Sequence, residues 1–313
     1  MERKYLLKRF VIKKCIKHPR LFNLIKKFRK VVQDPNVFSI AISYEEAAMY
    51  TKQLAKKIPN NFDVIIGIPR SGIFIADILA TKFGRPLTTP DLFVDGKIWE
   101  SSLIKKPKNI QRVLLVDDSA SSGKALDEAT KKILRYNPKL TIKKAVLIST
   151  PNGKKYVDYV QLIKKPKHLL EWQLIQNFKL TKFSVDFDGV LCEDCPRGVG
   201  LIEEEYIEWM KNAKPFMIPI NEIDTIITSR LEKYRDITEK WLKENNCKYK
   251  KLKMINLKSD YKKNLNTVIS FKVNAIKESK PELFWESNFR EAYEINKKTK
   301  VPVLCTDEMV FLK

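Results

Sequence analysis

The chain is poor in the features that would make it a membrane or secreted protein. No apolar stretch reaches the ~18 residues that a membrane helix needs. Its N-terminus lacks the apolar region and small-residue cleavage site of a secretory leader, so a cytoplasmic protein is expected. Cysteine occurs five times in 313 residues. An odd, small number argues against a disulfide framework and for reduced thiols. There are two histidines, His18 and His168, both far in sequence from the one C-x-x-C, Cys192 and Cys195. Zinc normally takes four ligands, so that pair is read as two small side chains rather than a metal or redox centre. No Gly/Ser-rich linker and no internal repeat interrupts the chain, so its parts are expected to pack closely. Acids are outnumbered, 37 against 60 Lys+Arg, and the net charge is +23.

What is present suffices for two domains of ordinary size, with 44% hydrophobic residues to fill their cores. The basic surface suits nucleic acid, anionic membrane or phosphorylated substrates. A lysine-rich, isoleucine-rich composition also follows from an AT-rich genome. The basic residues are dense in 1–34, which holds twelve Lys/Arg and two acids, Glu2 and Asp34. Leu6, Leu7, Phe10 and Val11, and after Pro19 the run from Leu21 to Val32, fall at helical spacing. Residues 1–34 therefore read as basic amphipathic helices, suited either to a membrane surface or to packing on the next domain.

Beyond them, apolar strands and helical stretches alternate. Ser43 with Glu46 forms a capping box. Strands are expected at 62–68, 112–116 and 142–149, with helices at 73–83 and 124–136. A second series has strands at 182–186, 224–228, 283–285 and, last, 301–305, with helices at 230–246 and 288–298. Such alternation predicts an α/β protein with parallel sheets flanked by helices. The domains divide as 1–34, 35–178 and 179–313.

Two stretches carry chemistry. In "VLLVDDSASSGKAL" (113–126) Asp117 and Asp118 stand at a strand end. Carboxylates accept hydrogen bonds from hydroxyl donors such as a ribose diol, or bind a metal. Ser119, Ala120, Ser121, Ser122, Gly123 and Lys124 then open a helix, whose first amides favour a phosphate. A P-loop is excluded, because Asp118 stands where it needs Gly and Ala125 where it needs Ser or Thr. In "GIPRSG" (67–72), Arg70, Ser71 and Gly72 offer a charged fork and exposed amides to pyrophosphate. Together these stretches resemble the type I phosphoribosyltransferases over 35–178. The resemblance implies that Asp117 and Asp118 hold the ribose 2- and 3-hydroxyls of phosphoribosyl pyrophosphate. Residues 119–124 would wrap its 5-phosphate, and Arg70, Ser71 and Gly72 would meet its pyrophosphate together with Mg²⁺. Ser121 stands where purine-salvage members carry an Asp. The stretch 91–108 is expected to be a mobile lid, and 157–172 loosely resembles an acceptor hood.

In "DFDGV" (186–190) Asp186 and Asp188 lie two apart after a strand, able to point at one spot. With "TIITSR" (225–230), Lys272 or Lys277, and "LFWES" (283–287), the order resembles the haloacid dehalogenase-like phosphatases over 180–313. That implies a second Rossmann-like domain with a small cap. It implies Asp186 as nucleophile, Asp188 as general acid/base, Thr228 and Lys272 on the phosphoryl group, and Mg²⁺ held by Asp186, Asp188 and Glu286. "ESN" stands where the family carries paired acids.

The fused pair resembles bacterial enzymes that place ribofuranose in surface polysaccharides. This implies a bifunctional transferase and Mg-dependent phosphatase acting on phosphoribosyl pyrophosphate and a glycan acceptor, lipid-linked in one version. Residues 1–34 would then touch the inner face of the membrane. Two alternatives stand beside it: a nucleobase phosphoribosyltransferase joined to a nucleotidase, and a regulator that binds nucleotide or RNA.

Overall fold

The structure, a computed structural model, describes residues 40–163, 168–176, 182–196, 198–199, 202–257 and 264–312. The basic segment 1–34 lies outside the described residues. So do the ends of the expected 35–178 and 179–313 divisions.

The first domain is built on five parallel strands in the order β3-β2-β4-β5-β6. They are β2 (Val64–Gly67), β3 (Leu87–Thr88), β4 (Arg112–Ala120), β5 (Thr141–Ser149) and β6 (Tyr159–Ile163). β2 is buried throughout and β4 through most of its length, because helices cover both faces of a parallel sheet. Along β4 the alternation of a strand sends Leu114 and Val116 into one core cluster and Val113 and Leu115 into the other. The first cluster lies under α1 (Tyr44–Leu54) and α2 (Ser71–Phe83), the second beside α3 (Pro90–Val94) and α4 (Lys124–Tyr136). α1 starts on the expected capping box: Ser43 Oγ accepts from Glu46 N at 3.1 Å and Glu46 Oε2 from Ser43 N at 3.3 Å. α2 ends at Gly84 in the left-handed region that glycine adopts freely.

The second domain has six strands in the order β10-β9-β8-β11-β12-β13. They are β8 (Phe183–Val185), β9 (Ile223–Leu231), β10 (Tyr249–Ile255), β11 (Leu283–Glu286), β12 (Val303–Cys305) and β13 (Val310–Leu312). All pairings are parallel except β12–β13. Its helices are α5 (Glu203–Asn212), α6 (Arg235–Glu244), α7 (Leu265–Ser279) and α8 (Phe289–Thr299).

Between the sheets, β1 (Ile40–Ile42) pairs in parallel with β7 (His168–Leu170). Leu170 joins the first domain's core while Leu169 and Leu174 join the second's. The close packing expected from the missing linker is therefore carried by residues 168–176.

Several expected boundaries differ. β4 does not stop at Val116 but continues through both acids to Ala120, because β5 offers pairing partners as far as Ser149. β9 likewise runs to Leu231, so the helix expected from 230 starts at Arg235. The strand at 303–305 is not the last, since Val310–Leu312 turns back on it as an antiparallel edge. In the expected lid 91–108, α3 and a bridge between Trp99 and Leu87 fix the first part to the sheet edge.

Candidate functional site

Two groups of side chains gather at the carboxyl ends of parallel strands, where open α/β sheets bind ligands. In the first, Asp117 and Asp118 are 9% and 3% exposed. Asp117 Oδ1 accepts the Asp118 backbone N–H at 2.8 Å. Burial, with the neighbouring Asp118 charge, raises the Asp117 carboxyl to about 8. A carboxyl in that state is short of positive partners. α2 comes up beside it: a Cβ on Gly72 would lie 2.8 Å from Val116 O and 3.0 Å from Asp117 Oδ1, so only glycine lets the helix start this close. The Pro69–Arg70 peptide is cis, and Arg70 is exposed.

The loop after β4 rests on the end of β5. Ser149 Oγ donates to Ala120 O at 3.1 Å, Thr150 N to the same oxygen at 3.0 Å, and Thr150 Oγ1 to Ser121 O at 3.2 Å. Ser119 and Ala120 are thus the last strand residues rather than loop. Ser121 and Ser122 are exposed, Gly123 is buried under Tyr156, and Lys124 is the exposed first residue of α4. Gly123 has φ +72°, and a Cβ there would lie 2.4 Å from the Tyr156 ring. The result is a buttressed turn presenting two serines and a helix N-terminus beside two acids. A helix N-terminus with free amides is suited to an anion.

One contact had no sequence signal. Trp172 Nε1 donates to Asp118 Oδ2 at 2.7 Å and Gln173 Nε2 to the same oxygen at 3.0 Å. Trp172 also packs with Tyr44 and Phe74, and Arg70 donates to Gln176.

Residues 36–176 match the phosphoribosyl transferase domain. Among curated proteins, the transcriptional regulator GfcR of Methanocaldococcus jannaschii is 30% identical over 88 residues, which is 26% of this chain and 42% of that protein. The chain thus spans less than half the length of this relative. Among solved structures, the purine phosphoribosyltransferase of Pyrococcus horikoshii is 23% identical, with 42% of this chain and 92% of that one covered at a TM-score of 0.32. For the xanthine-guanine-hypoxanthine phosphoribosyltransferase of Helicobacter pylori the values are 17%, 43%, 91% and 0.35. The matched stretch 36–176 contains the acids, the buttressed turn and the Arg70 loop, and the second group of residues lies beyond it.

That second group is more tightly wired. Asp186 follows β8 and Glu286 ends β11, and the Asp186 N–H donates to Trp285 O between the two strands at 2.9 Å. Lys272, 2% exposed on α7, donates to Asp186 Oδ2, Glu286 Oε2 and Glu291 Oε2, each at 2.7 Å. Burial opposes its charge, but the three carboxylates outweigh that and hold the ammonium well above its ordinary range. Burial raises the Glu286 carboxyl, with Asp186 adding to the rise and Lys272 opposing it. Lys277 is exposed on the same helix, so Lys272 is the lysine at this site. Thr228 is buried, and its Oγ1 accepts the Arg230 N–H at 3.1 Å. The register of Ile226 with Val185 brings Thr228 level with the residues just after β8.

Two of the expected acids have neighbours that the sequence did not reveal. Asp188 has a partner of its own. Its carboxylate is held by Arg230, with Nη2–Oδ1 at 2.7 Å and Nε–Oδ1 at 3.0 Å. Arg230 is fully buried, its guanidinium 4.1 Å from the Phe187 ring centre. Among the described residues no group of three or more His, Cys, Asp and Glu side chains is placed to hold a metal. The oxygens of Asp186 and Glu286 still form a hard donor pair of the kind magnesium takes. Beside Glu286 of "ESN", Glu291 in the first turn of α8 supplies a further acid to the same lysine. Glu291 was legible as an acid five residues on, one helical turn past an Asn cap. Cys192 is buried with its Sγ 3.3 Å from Asp188 Oδ1, and burial and that carboxylate push its thiol far up. Its thiol is a weak hydrogen-bond donor to that carboxylate.

Proposed function

We propose that the first domain transfers a phosphoribosyl group from phosphoribosyl pyrophosphate to a planar acceptor such as a nucleobase, and that the second hydrolyses a phosphomonoester. The observation that carries the first step is the buried pair Asp117–Asp118 beside the turn braced by Ser149, Thr150 and Tyr156. Asp117 and Asp118 would accept the ribose hydroxyls. Ser121, Ser122 and the amides opening α4 would hold the 5-phosphate, and Arg70 with Ser71 and Gly72 the pyrophosphate. The anomeric C–O bond to pyrophosphate breaks as the acceptor bonds to C1. Fixed donors stabilise the charge that grows on the leaving group. The aromatic cluster of Tyr44, Phe74 and Trp172 next to Asp118 supports a flat acceptor.

For the second step, the Asp186 carboxylate would attack phosphorus while the P–O ester bond breaks, and water would then release phosphate from Asp186. Lys272 and Thr228 would face the phosphoryl oxygens, and Asp188 would handle the leaving-group proton. Mg²⁺, held by the oxygen pairs Asp117/Asp118 and Asp186/Glu286, would supply charge to offset pyrophosphate and phosphate. The Lys272 network at the ends of β8 and β11 supports this reading.

A glycan hydroxyl as acceptor is a second reading, favoured by one feature. A site built to remove a phosphate in the same chain would undo nucleotide formation, yet it is the step needed after ribofuranose is placed on a glycan. Incubation with phosphoribosyl pyrophosphate and a panel of free bases separates the two. Base-dependent pyrophosphate release supports the nucleobase reading. Release only with a glycan acceptor supports the other. Salt-sensitive RNA binding without any release would replace both by a regulator.

A further inference from the structure

The residues that close on Asp118 come from the segment joining the two domains. Trp172 and Gln173 both donate to Asp118 Oδ2, at 2.7 and 3.0 Å. With both lone pairs of Oδ2 taken, a ribose hydroxyl that binds that oxygen must displace at least one of these donors. Gln176 takes the Arg70 guanidinium in the same way. One short 3-10 segment, Glu171–Gln176, thus satisfies a residue assigned to each end of the donor.

The same segment is held by the second domain. Leu174 is buried in the cluster that contains Phe183, Val185 and Trp285, and Ile175 O accepts the Ile220 N–H at 3.0 Å. On the other side, Glu171 Oε2 accepts the Tyr44 N–H at 2.7 Å, so the segment is pinned at both ends while its middle lies on the acid.

We propose that Glu171–Gln176 is a gate that competes with phosphoribosyl pyrophosphate for Asp118 and Arg70, and that the second domain holds it shut. The proposal rests on the reading that the first site takes this donor. Donor binding then trades the indole and amide N–H groups for ribose hydroxyls. The affinity measured for the whole chain is the intrinsic affinity reduced by the fraction of molecules whose gate is open. Through Leu174 and Ile175, a shift of the second domain that favours the open gate strengthens donor binding, and the converse holds by linkage.

The test uses the full chain and phosphoribosyl pyrophosphate with magnesium in a calorimetric titration. Gln173→Ala removes one donor from a half-buried side chain, and Trp172→Phe with Gln173→Ala removes both while keeping an aromatic ring. Expected are about threefold and at least about tenfold tighter binding, respectively. Trp172 fluorescence, taken as the wild-type spectrum minus that of Trp172→Phe, should shift to the red on donor addition as the indole leaves the carboxylate. Unchanged or weaker binding by both variants with no such shift overturns the gate while leaving the donor site standing. No saturable binding by wild type or either variant overturns the donor assignment itself, and the gate with it.

Discussion

Replacing Lys272 by Met would test how the second site is wired. The lysine is 2% exposed and its Nζ serves three carboxylates at 2.7 Å, two of them, Asp186 and Glu286, almost fully buried. Each charge-assisted hydrogen bond is worth about 1.5–3 kcal/mol, but the three share one ammonium and do not add. The dominant cost is stranding buried acids without a counter-charge, about 3–5 kcal/mol for removing one partner of a buried pair. For a domain of this size that is a fall in Tm of about 10–20 °C. The pH dependence has a definite sign. Asp186 and Glu286 already titrate above their ordinary values, so their contribution is most favourable at low pH and is lost as pH rises through the folded values. Without Lys272 they rise further. The penalty should therefore be largest near pH 8 and shrink toward pH 5 as the carboxyls protonate. Scanning calorimetry of both proteins across that range reads it. A Tm change within about 2 °C, or a penalty independent of pH, would show that the network carries little charge–charge energy and refute the reasoning.

Further consequences concern both sites. Asp117, raised from 3.8 to about 8, favours the folded state when protonated, so the ligand-free first domain should lose stability as pH climbs from about 4 to about 8, while Asp117→Asn flattens that slope in a denaturant titration. For the same reason, donor affinity should increase over that range in the wild type, because the anion is the better hydroxyl acceptor. Gly123→Ala meets both a φ of +72° and the Tyr156 ring, and should cost about 1–3 kcal/mol; adding Tyr156→Ala should recover only the steric part. Asp186→Asn should still release pyrophosphate but accumulate a phosphorylated product, read by mass spectrometry; an unphosphorylated product would remove the phosphatase assignment.

How much of this was legible depended on how local each feature is. Asp117, Asp118 and Gly123 belong to one strand–turn–helix, so their spacing alone placed them, and the same holds for Asp186 beside Phe187. The helix that carries Lys272 was not read, because its buried face, Val268, Ile269, Val273 and Ile276, has the lysine itself in the core position, which breaks the apolar pattern. Arg230 stood in plain view after Thr228. Only the fold, by burying its guanidinium against Phe187, shows that it takes Asp188. Trp172 and Gln173 meet Asp118 across more than fifty residues of sequence, a contact that no periodicity encodes. Strand ends were placed short at β4 and β9 because pairing with the neighbouring strand, not propensity, decides where a parallel strand stops.

The most direct measurement of the central claim is equilibrium binding of magnesium phosphoribosyl pyrophosphate to the wild-type chain and to a variant with Asp117→Asn and Asp118→Asn. The account predicts saturable binding by the wild type and its loss in the variant, with the fold intact by circular dichroism. Equal binding by both would contradict it.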